Sequence, residues 1–163
     1  MRRLFIIRKD LGLGPGKLAA MVAHCAEGFW TSLLKASASK GNIRDNPSNS
    51  VTVSVEIPKD VWNDYVNGIF TKTICEAKNL NHLMKAVDVA KGLGMVENVD
   101  YGFIDDACLT ELAPEFTDEQ GRGRCRVGIW FRPMDDGTSH TISKKYQLYR
   151  DRQPVEKKSP DKE

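Results

Sequence analysis

A strand, a glycine loop and a helix follow one another at the start of this chain, and that order constrains its fold more than any other feature. Met1–Arg8 (MRRLFIIR) reads as a short apolar strand, Asp10-Leu-Gly-Leu-Gly-Pro-Gly-Lys17 as the loop, and Leu18 to Leu34 as a helical run. Gly14 suits the N-cap, and Pro15 suits the first helical position, where an amide N–H has no partner anyway. Lys17 then lies in the first helical turn, where the positive end of the macrodipole disfavours a cation by roughly 0.3–1 kcal/mol. A lysine that breaks a local rule beside free backbone N–H groups points to an anionic partner, such as a phosphate or a developing oxyanion. The plain alternative is a solvated surface lysine.

Two phosphate-binding loops are excluded by spacing. A Walker A loop needs four residues between its glycines and a Ser or Thr after the lysine; Gly12 and Gly16 enclose three, and Leu18 follows Lys17. The dinucleotide fingerprint G-x-G-x-x-G does not match glycines at 12, 14 and 16. Nucleotide hydrolysis and hydride transfer both lose ground.

The 163 residues suffice for one domain with a sizeable core, and 40% hydrophobic with 28% charged residues is a globular composition. No apolar run approaches the roughly 18–20 residues of a membrane span, and the start lacks a secretory h-region, so a cytoplasmic protein without membrane contact is expected. Net charge is only +2, so nucleic acid is announced at most by local basic clusters: Arg2, Arg3, Arg8, Lys9 and Lys17; Arg122, Arg124 and Arg126; Lys144 and Lys145. Cys25, Cys75, Cys108 and Cys125 form no C-x-x-C pair and no metal-type spacing with His24, His82 and His140. Reduced thiols, no metal and no cofactor are expected.

Between Gly16 and Lys35, Leu18, Val22, Cys25, Phe29 and Leu33 form an apolar stripe. Lys17, Met21, His24 and Gly28 form a second stripe about a quarter-turn away, at about 100° per residue. Lys17 and His24 therefore look toward one space, with Gly28 permitting close approach; His24 reads equally as a hydrogen-bonded histidine at the core edge. Residues 36–50 read as a polar loop, Val51–Ile57 (VTVSVEI) as a strand added antiparallel to the sheet, and Pro58 to Tyr65 as a short helical piece. Ile69–Ala77 reads as a strand and Asn79 as the cap of a helix ended by Gly92 and Gly94. Val99–Ile104 and Cys125–Phe131 are further strands, and 150–163 is a charged tail without apolar residues enough to order it. Strands alternating with helices predict a single-domain, three-layer α/β fold with a small mixed β-sheet packed between helices.

Asp105-Asp106-Ala-Cys-Leu-Thr110 follows a strand's C-terminal end, the usual place of a ligand crevice in open α/β sheets. Neighbouring residues of extended chain point to opposite sides, so only one aspartate enters a given cleft. A carboxylate there orients or deprotonates water, with Thr110 in reach of the same ligand. By composition alone the segment also reads as an ordinary Asp-rich turn.

Met1–Ala26 (with LFIIRKDLGLGPGKLAAMVAHCA), Asn79–Gly94 and Ile104–Pro114 (IDDACLTELAP) together resemble the archaeal and eukaryotic-type (class II) peptidyl-tRNA hydrolases. The family pattern is approximately R-x-D-L-x-M-x-x-G-K-x-A-A-Q-x-x-H-A after a strand, then I-x-D-A-G-x-T-Q-I-x-P. Ile142-Ser-Lys-Lys-Tyr-Gln-Leu-Tyr149 is also similar to the family terminus V-T-G-x-L-K-L-Y, so the likeness runs through 1–149. The resemblance implies hydrolysis of the ester between a peptide, or an N-blocked amino acid, and tRNA in translation, without a cofactor, by a protein that is often dimeric. It places Lys17, Asp106 and Thr110 on the family's functional lysine, aspartate and threonine, and His24 on its motif histidine. Asp10 falls on the motif aspartate, next to the substrate loop of Gly14 and Gly16.

The chain departs from the pattern at Met21 (for glutamine), Cys108 (glycine), Leu109 (arginine) and Glu111 (glutamine). Phe116–Arg124 matches nothing, leaving Thr117 as the nearest candidate for a further hydroxyl, and 36–68 is longer than the usual connection. Three readings follow: an active peptidyl-tRNA hydrolase, a non-catalytic RNA- or protein-binding relative, and a thiol hydrolase using Cys108 with His24. The last is disfavoured because aspartates two and three residues from Cys108 raise a thiol pKa.

Overall fold

The computed structural model describes residues 1–150, so the expected tail lies, from 151 onward, outside the described residues. Its centre is β1 (Arg2–Arg8), whose Leu4, Phe5, Ile6 and Ile7 are all fully buried. A strand apolar on both faces belongs inside a sheet covered by helices. β1 pairs in parallel with β4 (Thr71–Ala77) and antiparallel with β7 (Gly123–Phe131). β5 (Tyr101–Asp106) lies beyond β7, and β8 (Gln147–Leu148) beyond β4. With β6 (Phe116–Thr117) beside β7, this makes a six-stranded mixed sheet of order β5-β7-β1-β4-β8.

The period of two sorts the core between the two faces. Phe5 and Ile7 pack with Met21, Cys25 and Phe29 of α1 (Pro15–Ser39) and with Val127 and Trp130. Leu4 and Ile6 pack with Leu83, Ala86, Val87 and Ala90 of α2 (Leu80–Gly92) and with Ile142 of α3 (Asp136–Ser143). The three layers are therefore α1, sheet, and α2 with α3, as the alternation of elements predicts. Among the described residues, no helix is long and apolar enough to cross a membrane.

Arg3 ties α1 to the sheet. It is fully buried on β1 and donates to the carbonyls of Phe131, Ala26 and Cys25 at 3.2, 2.6 and 2.9 Å, with its guanidinium over the Phe5 ring. The arginine placed by sequence in a basic surface cluster is a core residue.

Three local expectations change. Val51–Ile57 does not join the sheet. Ser50–Val53 (β3) pairs instead with Ile43–Asn46 (β2) as a separate two-stranded ribbon. Alternation announces a strand but not its partner, and here the partner is a polar segment (IRDN) reached through a turn at Asn49, whose φ is 55°. Secondly, α1 runs on to Ser39, past the expected loop start at 36, and the Ser37 hydroxyl donates to the Ser54 carbonyl at the ribbon's exit. Thirdly, the helical piece after Pro58 is a π-helical turn, Val61–Val66, in which the Asn67 amide reaches back to the Trp62 carbonyl at 2.9 Å. Helix α3 carries no sequence assignment above, although Asp135 caps it by accepting from the Thr138 amide at 2.8 Å. The D-x-x-T spacing was its available signal.

Candidate functional site

The C-terminal ends of the parallel strands β1, β4 and β5 lie at one edge of the sheet, where the glycine loop turns into α1. Gly12 takes a left-handed φ of 58°, and Gly14 is the extended N-cap whose carbonyl accepts the Leu18 amide at 2.9 Å. Pro15 opens the helix and no acidic residue stands in its first turn. The macrodipole of α1 therefore has no local counter-charge on its own helix.

The counter-charge comes from the end of β5. A bulge between Ile104 and Asp105 re-aims the two aspartates. Asp105 forms a two-point ion pair with Arg126 (2.9 and 3.0 Å), and Asp106 takes the Lys17 ammonium at 2.6 Å from Oδ2. Lys17 Nζ also donates to Thr110 Oγ1 at 3.5 Å. Oδ1 of Asp106 accepts the Cys108 amide at 2.8 Å, closing a turn in which Cys108 has φ 54°. Burial alone raises the Asp106 carboxyl. The hydrogen bonds from Lys17 and the Cys108 amide, with the charges of Lys17 and His24, outweigh it and hold the group below the ordinary carboxylate value.

His24 is exposed rather than a core-edge histidine, and with Gly28, Asp105 and Trp130 it lines an open groove of about 420 Å³. Gly28 also lets α1 pack closely on the sheet. A Cβ there meets the Trp130 ring at 2.4 Å. Met21, set by helical phase on the Lys17 stripe, is buried among the core residues instead. Gly16 faces open space, and Gly14 sits beside Glu111, whose Oε1 is 3.8 Å from where a Cβ would stand. Thr117 is exposed on β6 and has no hydrogen bond to the Lys17–Asp106 pair.

Asp10 is occupied by Arg8, which donates to both of its carboxylate oxygens (3.1 and 2.8 Å), to Glu115 at 2.7 Å and to the Arg126 carbonyl at 2.9 Å. This nearly buried arginine fixes both the loop before Lys17 and the segment after Thr110. Sequence reasoning counted Arg8 only in a basic cluster and assigned no role to Glu115; the R-x-D spacing at 8–10 was the signal for the first half. Among the described residues, no group of three or more His, Cys, Asp and Glu is arranged to hold a metal ion.

An aspartate–lysine pair with a threonine at the mouth of a helix-capped loop matches the motif order read from the sequence. A model of the peptidyl-tRNA hydrolase PTH2 family matches residues 1–149. The chain belongs to this family. A curated peptidyl-tRNA hydrolase from Thermoplasma acidophilum is 25% identical over 147 residues, covering 90% of this chain and 97% of its own. A solved protein of unknown function from Agrobacterium tumefaciens aligns with TM-score 0.48 and 11% identity over 91% of this chain and 97% of that one.

Set against the peptidyl-tRNA hydrolase motif, the departure at Cys108 acquires a physical meaning. Its left-handed φ is one that glycine adopts freely and that costs a side chain roughly 1–2 kcal/mol. Cys108→Gly is expected to keep turnover and to raise stability by about 0.5–1 kcal/mol after glycine's own entropy cost. Urea unfolding of the two proteins checks it; a less stable glycine variant would show that the cysteine relieves the turn. The thiol itself is raised above its ordinary pKa, by burial first and then by the Asp106 charge, the reverse of what a nucleophilic thiol needs.

Proposed function

We propose that this chain is a hydrolase of the ester linking a peptide, or an N-blocked amino acid, to the terminal ribose of tRNA, carried by the 1–149 unit. The observation that carries the reading is the 2.6 Å contact between Lys17 and Asp106, with Thr110 at its edge. Each Asp106 oxygen already accepts one hydrogen bond and keeps a further lone pair, so the carboxylate holds a water for attack on the ester carbonyl carbon. The C–O bond to the ribose breaks. One water proton ends on the ribose hydroxyl, and the other is lost as the product acid ionises. Lys17, at the positive end of α1, faces the charge that builds on the carbonyl oxygen; preorganised donors of this kind contribute about 2.7–4 kcal/mol each. Thr110 positions the ammonium or the water, and His24 stands at the rim as a positioning residue.

Purified protein incubated with N-blocked aminoacyl-tRNA is expected to release free tRNA, and Asp106→Asn to lose at least a hundredfold in turnover. Affinity for the substrate should fall steeply as salt rises, because phosphate contacts release counterions. A flat salt response would remove tRNA as the ligand.

One observation favours a second reading, a relative that binds without cleaving. Glu111 brings a carboxylate against the glycine loop, and Leu109 is 87% exposed where the family pattern has an arginine. Tight tRNA binding without ester cleavage is the outcome that selects it.

A further inference from the structure

The basic clusters named from sequence are mostly neutralised in the fold. Arg122 and Arg124 both pair with Asp118 at 2.9 Å, Arg126 with Asp105, and Arg2 with Asp136. Arg3 and Arg8 are internal. Lysines behave differently on one side of the molecule. Lys78, directly after β4, Lys85 on α2, and Lys144 and Lys145 after α3 are all exposed, and among the described residues no carboxylate forms an ion pair with any of them.

Lys78 and Lys145 line a cavity of about 400 Å³ together with Lys9, His82, Asp10 and Glu76. Neither of its two acids pairs with Lys78 or Lys145. Asp10 is held by Arg8, while Glu76 lies 3.8 Å from Lys9 and accepts the Arg150 amide at 3.4 Å. One wall is the His82 ring stacked on Tyr146, with centroids 4.5 Å apart and planes 12° from parallel. Burial first, and then the charges of Lys78 and Lys85, keep His82 below its ordinary pKa, as expected where positive potential accumulates. Two ammonium groups without a carboxylate partner among the described residues, Lys78 and Lys145, facing one concave site are the footprint of a phosphate-binding surface.

This cavity opens at the same sheet edge as the Lys17–Asp106 pair. It lies at the ends of β1 and β4, two to three strand spacings or roughly 10–14 Å across the sheet from the end of β5. Lys9 links the two regions, since it also lines a second cavity of about 360 Å³ bounded by Leu13, Pro15 and Leu18 at the start of α1.

We propose that Lys78 and Lys145 form a phosphate site that holds the backbone of the tRNA acceptor end while its terminal ester lies at Lys17 and Asp106. The proposal rests on the hydrolase reading for its substrate, and its test is chosen to separate the two. Binding of deacylated tRNA, which requires no turnover, is measured for the wild type, for Lys78→Ala/Lys145→Ala, and for Lys91→Ala at the far end of α2.

The double variant is expected to bind about tenfold or more weakly, and its log K against log[salt] slope to shrink by about 1.4–1.8, the contribution of two phosphate contacts. Lys91→Ala should match the wild type. In the cleavage assay the double variant should show a raised KM with a much smaller change in kcat. Wild-type affinity and slope in the double variant overturn the phosphate site even if ester cleavage is intact; failure of cleavage with the binding loss intact overturns the hydrolase reading alone. Wild-type protein that fails to bind tRNA overturns both. Inorganic phosphate that saturates the cavity while tRNA binding ignores the double substitution assigns it to a free anion and also overturns the proposal.

Discussion

Lys17→Ala is expected to lower kcat/KM for N-blocked aminoacyl-tRNA by at least a hundredfold, the usual loss when a preorganised donor to a developing oxyanion is removed. Two effects combine. The oxyanion loses its facing cation at the start of α1, and Asp106 loses the ion pair that counters its burial. The second effect has its own signature in the pH profile. The folded pKa of Asp106 lies below the ordinary carboxylate value, so whatever needs the carboxylate is present above that value and is lost as pH falls through the folded pKa. Wild-type activity should therefore persist into acid, with its acid limb below the ordinary carboxylate range. In Lys17→Ala, burial acts without the lysine's compensation, and the acid limb of the residual activity should move to higher pH. Stopped-time assays across the acid range check both the rate and the limb. An unshifted limb with wild-type rate would detach Lys17 from the reaction.

Gly28→Val should cost about 3 kcal/mol or more of stability, at the upper end of overpacking effects. The position lies on a well-formed helix, where replacing glycine ordinarily stabilises by up to about 1 kcal/mol, so a large loss reports the local clash. A Cβ at Gly28 stands 2.4 Å from Cδ1 and 2.5 Å from Nε1 of Trp130. The indole has no room to retreat, because a Cβ at Gly102 on β5 would meet its far edge at 2.5 Å. Relief requires α1 to lift from the sheet, and α1 carries Lys17. Turnover should fall together with stability. Trp130→Leu, which empties the space, should recover part of the loss in the double variant, a non-additivity that a mutant cycle measures. Simple additivity would place the strain elsewhere.

Much of the frame is legible without coordinates because it is local. Strand β1, the glycine loop, Pro15 and the start of α1 follow from residue type and spacing within one or two turns, and Asn79 caps α2 through its bond to the His82 amide as expected. The Asp106–Thr110 segment reads at the end of a strand for the same reason. What escaped is non-local. The alternation of VTVS marks β3, but nothing within that segment selects IRDN as its partner over the main sheet. Gly28 reads as a gap on a helix face, and only the arrival of Trp130 from β7 shows what fills it.

Sequence by itself determined a three-layer α/β chain of the peptidyl-tRNA hydrolase family, because hydrophobic period, caps and motif spacing are properties of neighbouring residues. Tertiary structure alone decided which charges are spent and which are free. Arg126 is bound by Asp105 and Arg8 by Asp10 and Glu115, while Lys78 and Lys145 have no carboxylate partner among the described residues. The reason is physical: a salt bridge depends on the separation of two side chains in space, and the members of most of these pairs are brought together by sheet register across many residues of chain.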